Sequence, residues 1–82
     1  MYRVEFSQQA EKQFSQLEKE MQCRIVTVLE RIYIRPFHFV KHLMGSPYYR
    51  LRVGDYRVIL DINQDKLIIF VIELGHRSKI YD

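Results

Sequence analysis

The sequence predicts an α+β fold of order β-α-α-β-β-β, an antiparallel sheet with an N-terminal helical hairpin packed on one face. Three observations carry the expectation. Apolar residues alternate at Tyr2, Val4 and Phe6, then recur at helical spacing from Ala10 to Ile32. They alternate again on both sides of Gly54-Asp55. A last apolar run, Leu67 to Leu74, closes at Gly75. Strands gathered around one helical block imply two packed layers. The 82 residues leave room for one domain, expected to span 1–82, and a hydrophobic share of 48% is enough for one core.

The elements follow in order. Tyr2, Val4 and Phe6 alternate with Arg3 and Glu5, a short strand with one buried face. Ser7 is placed to cap the first helix, which carries Ala10, Phe14 and Leu17. Glu18, Lys19, Glu20 and Gln22 surround the break to a second helix. There Met21, Ile25, Val28, Leu29 and Ile32 form the apolar stripe, with Arg24, Glu30 and Arg31 outside. So short a link predicts an antiparallel helical hairpin. Pro36 is expected to end the second helix, because a residue before proline disfavours helical backbone. Residues 37–47 carry no clear period and read as one long connection, with Phe37, Phe39 and Leu43 tucked under the sheet.

The stretch from Tyr48 to Ile62 reads as a β-hairpin. Tyr49, Leu51 and Val53 alternate with Arg50 and Arg52; Tyr56, Val58, Leu60 and Ile62 alternate with Arg57, Ile59 and Asp61. Gly54-Asp55 is the two-residue turn, with Gly supplying the positive φ. Val53 then faces Tyr56, Arg52 faces Arg57, and Arg50 faces Ile59. Like charges opposite each other on a sheet destabilise it. Three arginines on the polar face are therefore either solvated or held there for a polyanion, and the hairpin alone leaves both open. After a turn at Asn63-Gln64-Asp65, Leu67 to Leu74 is apolar on both faces and is expected to be the central strand.

Composition narrows the function classes. The net charge is +3, and all of the excess lies in residues 35–82, which hold eight basic and five acidic side chains. Arginine predominates among those basic residues, and its planar fork suits phosphate. That points to nucleic acid or an acidic partner protein. A single cysteine, Cys23, excludes an internal disulfide and a cysteine zinc cluster; it reads as a small buried residue in a helix. His38 and His42 have i, i+4 spacing but no third ligand nearby, so no metal site is expected. No apolar run approaches the ~20 residues of a membrane span, and the N-terminus has no signal-peptide pattern. A cytoplasmic protein without cofactor is expected.

The strand-helix-helix opening, then LMGSPYYRLRVGDYRVILDI, then IELGHRSKIYD, resemble the RelE/ParE superfamily of toxins over essentially the whole chain. The terminal histidine-arginine followed by tyrosine sharpens the resemblance toward the RelE branch. It implies a toxin of a type II toxin–antitoxin pair that enters the ribosomal A site and cuts mRNA there. The implied partners are a cognate antitoxin, the ribosome and mRNA. The ParE branch shares the fold but poisons DNA gyrase, and a non-catalytic RNA-binding module is the third possibility. By resemblance, Arg52, Arg57 and Arg77 grip and polarise the scissile phosphate, and Tyr81 orients or stacks on the substrate. Arg50, Tyr48, Lys79 and Lys41 are expected to bind RNA around them. Studied RelE proteins carry lysines on the second strand of the motif, one of them a candidate base; this chain has Arg50 and Arg52 there. Arginine stays protonated and is a poor base. His76, read as lying beside the cluster, and Tyr81 are the expected acid–base candidates. The chemistry implied is attack by the RNA 2′-hydroxyl, giving a 2′,3′-cyclic phosphate and a 5′-hydroxyl.

Overall fold

The computed structural model describes residues 1–78. Lys79 and Tyr81, both expected at the site, lie outside the described residues. The elements are β1 (Arg3–Phe6), α1 (Gln8–Ser15), α2 (Lys19–Ile32), α3 (Pro36–Phe39), β2 (Lys41–His42), β3 (Tyr49–Val53), β4 (Tyr56–Asn63) and β5 (Ile68–His76).

Ser7 caps α1 as expected. Its Oγ accepts from the Ala10 N–H at 3.0 Å and donates to the Ile72 carbonyl at 2.6 Å. One hydroxyl thus satisfies an orphan helix donor and pins the helix start to β5. α1 packs along β5, and its Phe14 ring meets Phe6 of β1 edge-on at 5.6 Å. The Gln22 side chain donates to the Phe14 carbonyl at 2.8 Å and ties α2 to the end of α1. Ile25, Leu29 and Ile32 are the buried stripe of α2. Cys23 is exposed, not buried. It lies two positions past Met21, about 200° round a helix of 3.6 residues per turn, and so points away from the stripe.

α2 ends at Ile32, before Pro36 is reached. Pro36 instead opens α3, where a missing N–H is harmless, and Arg35 before it is non-helical at φ −133° and ψ 73°. The stretch read as a bare connection therefore contains a short helix and a two-residue strand. Phe37 and Phe39 do not tuck under the sheet; they are 40% and 45% exposed, and Leu43 is half-buried. Four helical residues on the sheet edge have too little surface to cover their own rings, although Phe37 leans edge-on against Tyr49 at 5.3 Å.

The sheet order is β1-β5-β4-β3-β2. Three of its pairings are antiparallel, but β1 runs parallel to β5, with Arg3 beside Ile68 and Phe6 beside Val71. The sheet is thus mixed, a departure from the all-antiparallel expectation. β4, not the apolar last strand, is the middle strand; β5 lies next to it, between β4 and β1. Leu67 adopts φ +55° and belongs to the turn before β5. The helix-facing layer buries Leu51, Val53, Val58, Leu60, Ile69, Val71 and Leu74 against Ala10, Ile25, Leu29 and Ile32. A register shift between Ile59 and Leu60 leaves Ile72 of β5 without an opposite residue, a β-bulge. Beside it, the Leu74 N–H donates to Gln13 Oε1 at 2.8 Å.

Candidate functional site

The hairpin pairs as its alternation predicts. Val53 lies opposite Tyr56, Arg52 opposite Arg57, and Arg50 opposite Ile59. Gly54 has φ +58° while Asp55 does not share a positive φ, which fits the hairpin turn with glycine at its first central position. Because Leu51, Val53, Val58 and Leu60 fill the helix-facing layer, Arg50, Arg52 and Arg57 project from the opposite face.

Two neighbouring strands complete that face. Lys41 of β2 lies beside Arg50, so a lysine extends the row at the sheet edge. On the other side Arg57 faces Gly75, which adds no side chain to that face. The chain then turns, and the Arg77 N–H donates to the Asp55 carbonyl at 2.8 Å. That bond fastens the end of β5 to the hairpin turn and brings Arg77 to the cluster.

Arg57 is the most enclosed of these cations. It is half-buried and its Nε is shielded from solvent. Its pKa is held below the ordinary arginine value, first by burial and then by repulsion from Arg50, Arg52 and Arg77. Both causes penalise the charged form. The guanidinium nevertheless remains a cation at neutral pH. Buried Ile59 forms an apolar floor beside it. The arrangement is a small anion cradle: one partly desolvated fork, with Arg50, Arg52 and Arg77 around it.

Other expected residues lie elsewhere. His76 is not beside the arginines. It pairs with Tyr56, one step along the ladder from the Arg57–Gly75 pair, and so falls on the helix side of the sheet. Its ring meets Tyr56 edge-on at 5.6 Å. Its Nδ1 accepts from the Ser78 N–H at 3.2 Å and lies 2.9 Å from the Ser78 Oγ. An accepting Nδ1 places the neutral proton on Nε2. Tyr48 lies at the foot of the hairpin, 37% exposed, with its N–H donating to Ser46 Oγ at 3.1 Å. His38 and His42 are not brought together: α3 stops at Phe39, so they belong to different elements, His38 against Phe39 and His42 against Tyr49. Among the described residues no three acidic, histidine or cysteine side chains gather as a metal site. No helix among them is long and apolar enough to cross a membrane.

Sequence reasoning missed the handling of Glu73. It lies opposite Ile59, next to the arginine rows, yet its carboxylate accepts from Gln9 of α1 at 3.1 Å. The bulge at Ile72 accompanies this turn toward the helix. A bulge of this kind leaves no period-two signature, so only the structure reveals it.

Comparison with known proteins adds to the geometry. The sequence model of the family described as "ParE toxin of type II toxin-antitoxin system, parDE" matches residues 4–81. The archaeal RelE–RelB complex of Pyrococcus horikoshii contains a similar chain at 30% identity and TM-score 0.81, covering 96% of this chain and 98% of that one. The intact RelBE toxin–antitoxin complex of E. coli gives 25% identity and TM-score 0.81, covering 93% and 96%. A chain of the RelBE2 toxin–antitoxin complex of Mycobacterium tuberculosis shares the fold at TM-score 0.85 with 20% identity, covering 93% and 98%. No curated relative matches significantly.

Proposed function

This chain belongs to the ParE toxin family of type II toxin–antitoxin systems, within the RelE/ParE superfamily, and from that premise we propose that it is a ribosome-dependent endoribonuclease of the RelE branch, acting in the cytoplasm on mRNA in the A site. The carrying observation is the convergence of Arg50, Arg52 and Arg57 on one sheet face with Arg77 at its end, around a partly desolvated Arg57.

RNA brings its own nucleophile, the 2′-hydroxyl beside the scissile phosphate. What the protein must supply is in-line alignment of that oxygen with the leaving 5′-oxygen. It must also neutralise charge growing on the phosphoryl oxygens. Arg57 is assigned to those oxygens: its repulsion from three neighbours is relieved when an anion arrives. Arg52 and Arg77 flank it and fix the phosphate's orientation through forked contacts. Arg50, Lys41 and Tyr48 are proposed to hold the strand on either side, with Lys79. The 2′-hydroxyl loses its proton to water as its oxygen attacks phosphorus, the bond to the 5′-oxygen breaks, and that oxygen takes a proton from water, so the products carry a 2′,3′-cyclic phosphate and a 5′-hydroxyl. With His76 turned to the helix side, the described cluster works by alignment and charge neutralisation. Tyr81 is proposed, by resemblance, to orient or stack on the substrate base. A cognate antitoxin is the expected inhibitor.

The matching family's ParE name favours a second reading, a gyrase-directed toxin. Toeprinting on translating ribosomes separates the two. Stops within the A-site codon that require this chain support the nuclease. Intact mRNA alongside inhibited supercoiling by purified gyrase supports the second reading and removes the first.

A further inference from the structure

We infer that Phe70 and Asp61, side by side on the arginine-bearing face of the sheet, form a base-reading subsite for single-stranded RNA that selects cytosine over uracil. The inference deepens the proposed action on RNA. It names two residues that hold a nucleotide away from the phosphate being cut, and its test requires no cleavage.

Register places the pair. In β4, Val58, Leu60 and Ile62 pack into the helix-facing core, so Arg57, Ile59 and Asp61 share the other face. In β5, Ile69 and Val71 belong to the core, so Phe70 points the same way as Asp61, its partner across the ladder. Asp61 lies four residues from Arg57 along β4, about 13 Å at roughly 3.3 Å per residue. An extended RNA strand with a phosphate on Arg57 reaches Phe70 with a neighbouring nucleotide.

The Phe70 ring is not explained by the fold. β5 has β1 on one side and β4 on the other, so the residue is on no sheet edge. It is nevertheless 37% exposed and lies outside the core cluster. Surfaces that take single-stranded RNA combine cations that track the backbone with aromatic rings on which bases stack. The arginines and Phe70 put both on one face. Stacking on the ring supplies affinity for any base.

Asp61 supplies the choice. It is exposed, and it makes no hydrogen bond or ion pair with a described residue. Glu5, on the other side of Phe70, is instead paired with Arg3 at 2.8 Å. An ionised carboxylate only accepts hydrogen bonds. It repels phosphate, so the spot beside Phe70 suits a base. Cytosine offers its 4-amino group to a carboxylate. Uracil presents a carbonyl oxygen at that position, which the carboxylate repels. The two rings are the same size, so the carboxylate decides between them.

A ring beside a carboxylate also suits an arginine side chain from a basic protein. Continuity with Arg50, Arg52 and Arg57 decides against that occupant. A basic segment laid along this face meets repulsion from those cations, whereas RNA phosphates meet attraction.

The test titrates the full chain with six-nucleotide oligocytidylate or oligouridylate, each 2′-O-methylated so that it cannot be cut. NMR reads the Phe70 ring protons and the affinity. The expected result is an upfield shift of the ring signals and about tenfold tighter binding of oligocytidylate, the scale of one base contact. Phe70→Leu is expected to weaken both oligonucleotides about tenfold, the scale of losing one stacked base, at an unchanged thermal midpoint. Should that variant fold poorly, Phe70→Tyr, which keeps the ring, is expected to bind as wild type does. Asp61→Asn is expected to keep binding and lose the preference, because an amide both donates and accepts. Ring signals that stay still while the oligonucleotide binds overturn the inference. So do equal wild-type affinities for the two sequences, or binding of neither. A ring shift produced by an arginine-rich peptide and not by oligocytidylate overturns it too and makes the patch a protein site. Toeprinting without A-site cleavage removes the nuclease reading and leaves these binding results standing, so the two failures are distinguished.

Discussion

Arg52 and Arg57 stand directly opposite each other across the β3–β4 ladder, a like-charge pair in the position where sheets normally place attraction. Arg77 is held near the same pair by its bond to the Asp55 carbonyl. Like charges so placed repel each other, and an arriving anion relieves that repulsion.

Replacing Arg57 or Arg77 with Ala should lower single-turnover cleavage on ribosome-bound mRNA by about 10²-fold or more, the scale of losing one charge-stabilising group at a transition state. Ribosome affinity should fall far less, since other cations share the phosphate contacts. Arg57→Lys should restore little, because a point charge does not reproduce a planar fork. Cleavage near the wild-type rate in both Ala variants would remove these arginines from the active site.

The depressed Arg57 pKa fixes a sign. A base whose folded pKa lies below its unfolded value destabilises the fold while protonated, and that penalty is present throughout the neutral range. Stability should therefore recover only at strongly alkaline pH, as Arg57 loses its proton. At neutral pH, monovalent salt screens the repulsion instead, over a Debye length of about 10 Å at 0.1 M. The rise in Tm with added salt should be larger for wild type than for Arg57→Ala. Equal salt slopes would show that the cluster carries no net repulsion.

His76→Ala should cleave within about threefold of wild type, since its ring is on the far side of the sheet and its Nδ1 is engaged by Ser78. The pH–rate profile of wild type should then show no limb near the histidine range that the variant lacks. A loss of about 10²-fold, rescued by added imidazole, would return His76 to the chemistry.

Cleavage should persist when the toxin is stripped with EDTA before addition to ribosomes kept in buffered magnesium. The cut RNA should carry cyclic-phosphate ends. Ends bearing a 3′-hydroxyl and a 5′-phosphate would indicate metal-assisted hydrolysis instead.

Ser7→Ala should cost roughly 1–2 kcal/mol, because it removes the helix cap and the tie to Ile72 together. Ser7→Thr should recover most of that loss in urea unfolding. No change in the urea midpoint for the Ala variant would mean that solvent replaces both bonds.

The hairpin was the most legible part of the chain. Its period-two alternation and Gly54-Asp55 turn define one register, and a slip by one residue would bury Arg50 and Arg52. The helical stripe and the Ser7 cap were legible for the same local reason. Pairing of β1 with β5 was not, since nothing in either strand encodes which sheet edge it joins. α3 and β2 are too short to show a period. The position of His76 did leave a signal: it shares parity with Leu74, a core residue. Reading Gly75 as the end of the strand hid that parity, because β5 continues through His76.

The pairing of β1 with β5 sets the order of events in synthesis. Ser7 and Ile72, joined by a hydrogen bond, are 65 positions apart, and Arg3 waits for Ile68. Such long-range closure comes late in folding. A nascent chain emerging N-terminus first holds β1, α1 and α2 without the strand that seats them. Arg77 arrives last of the four arginines. The arginine cluster is therefore assembled only once β5 has been made and has closed on β1 and β4, so a nascent chain that stops short of that strand carries the hairpin arginines without the fourth cation beside them.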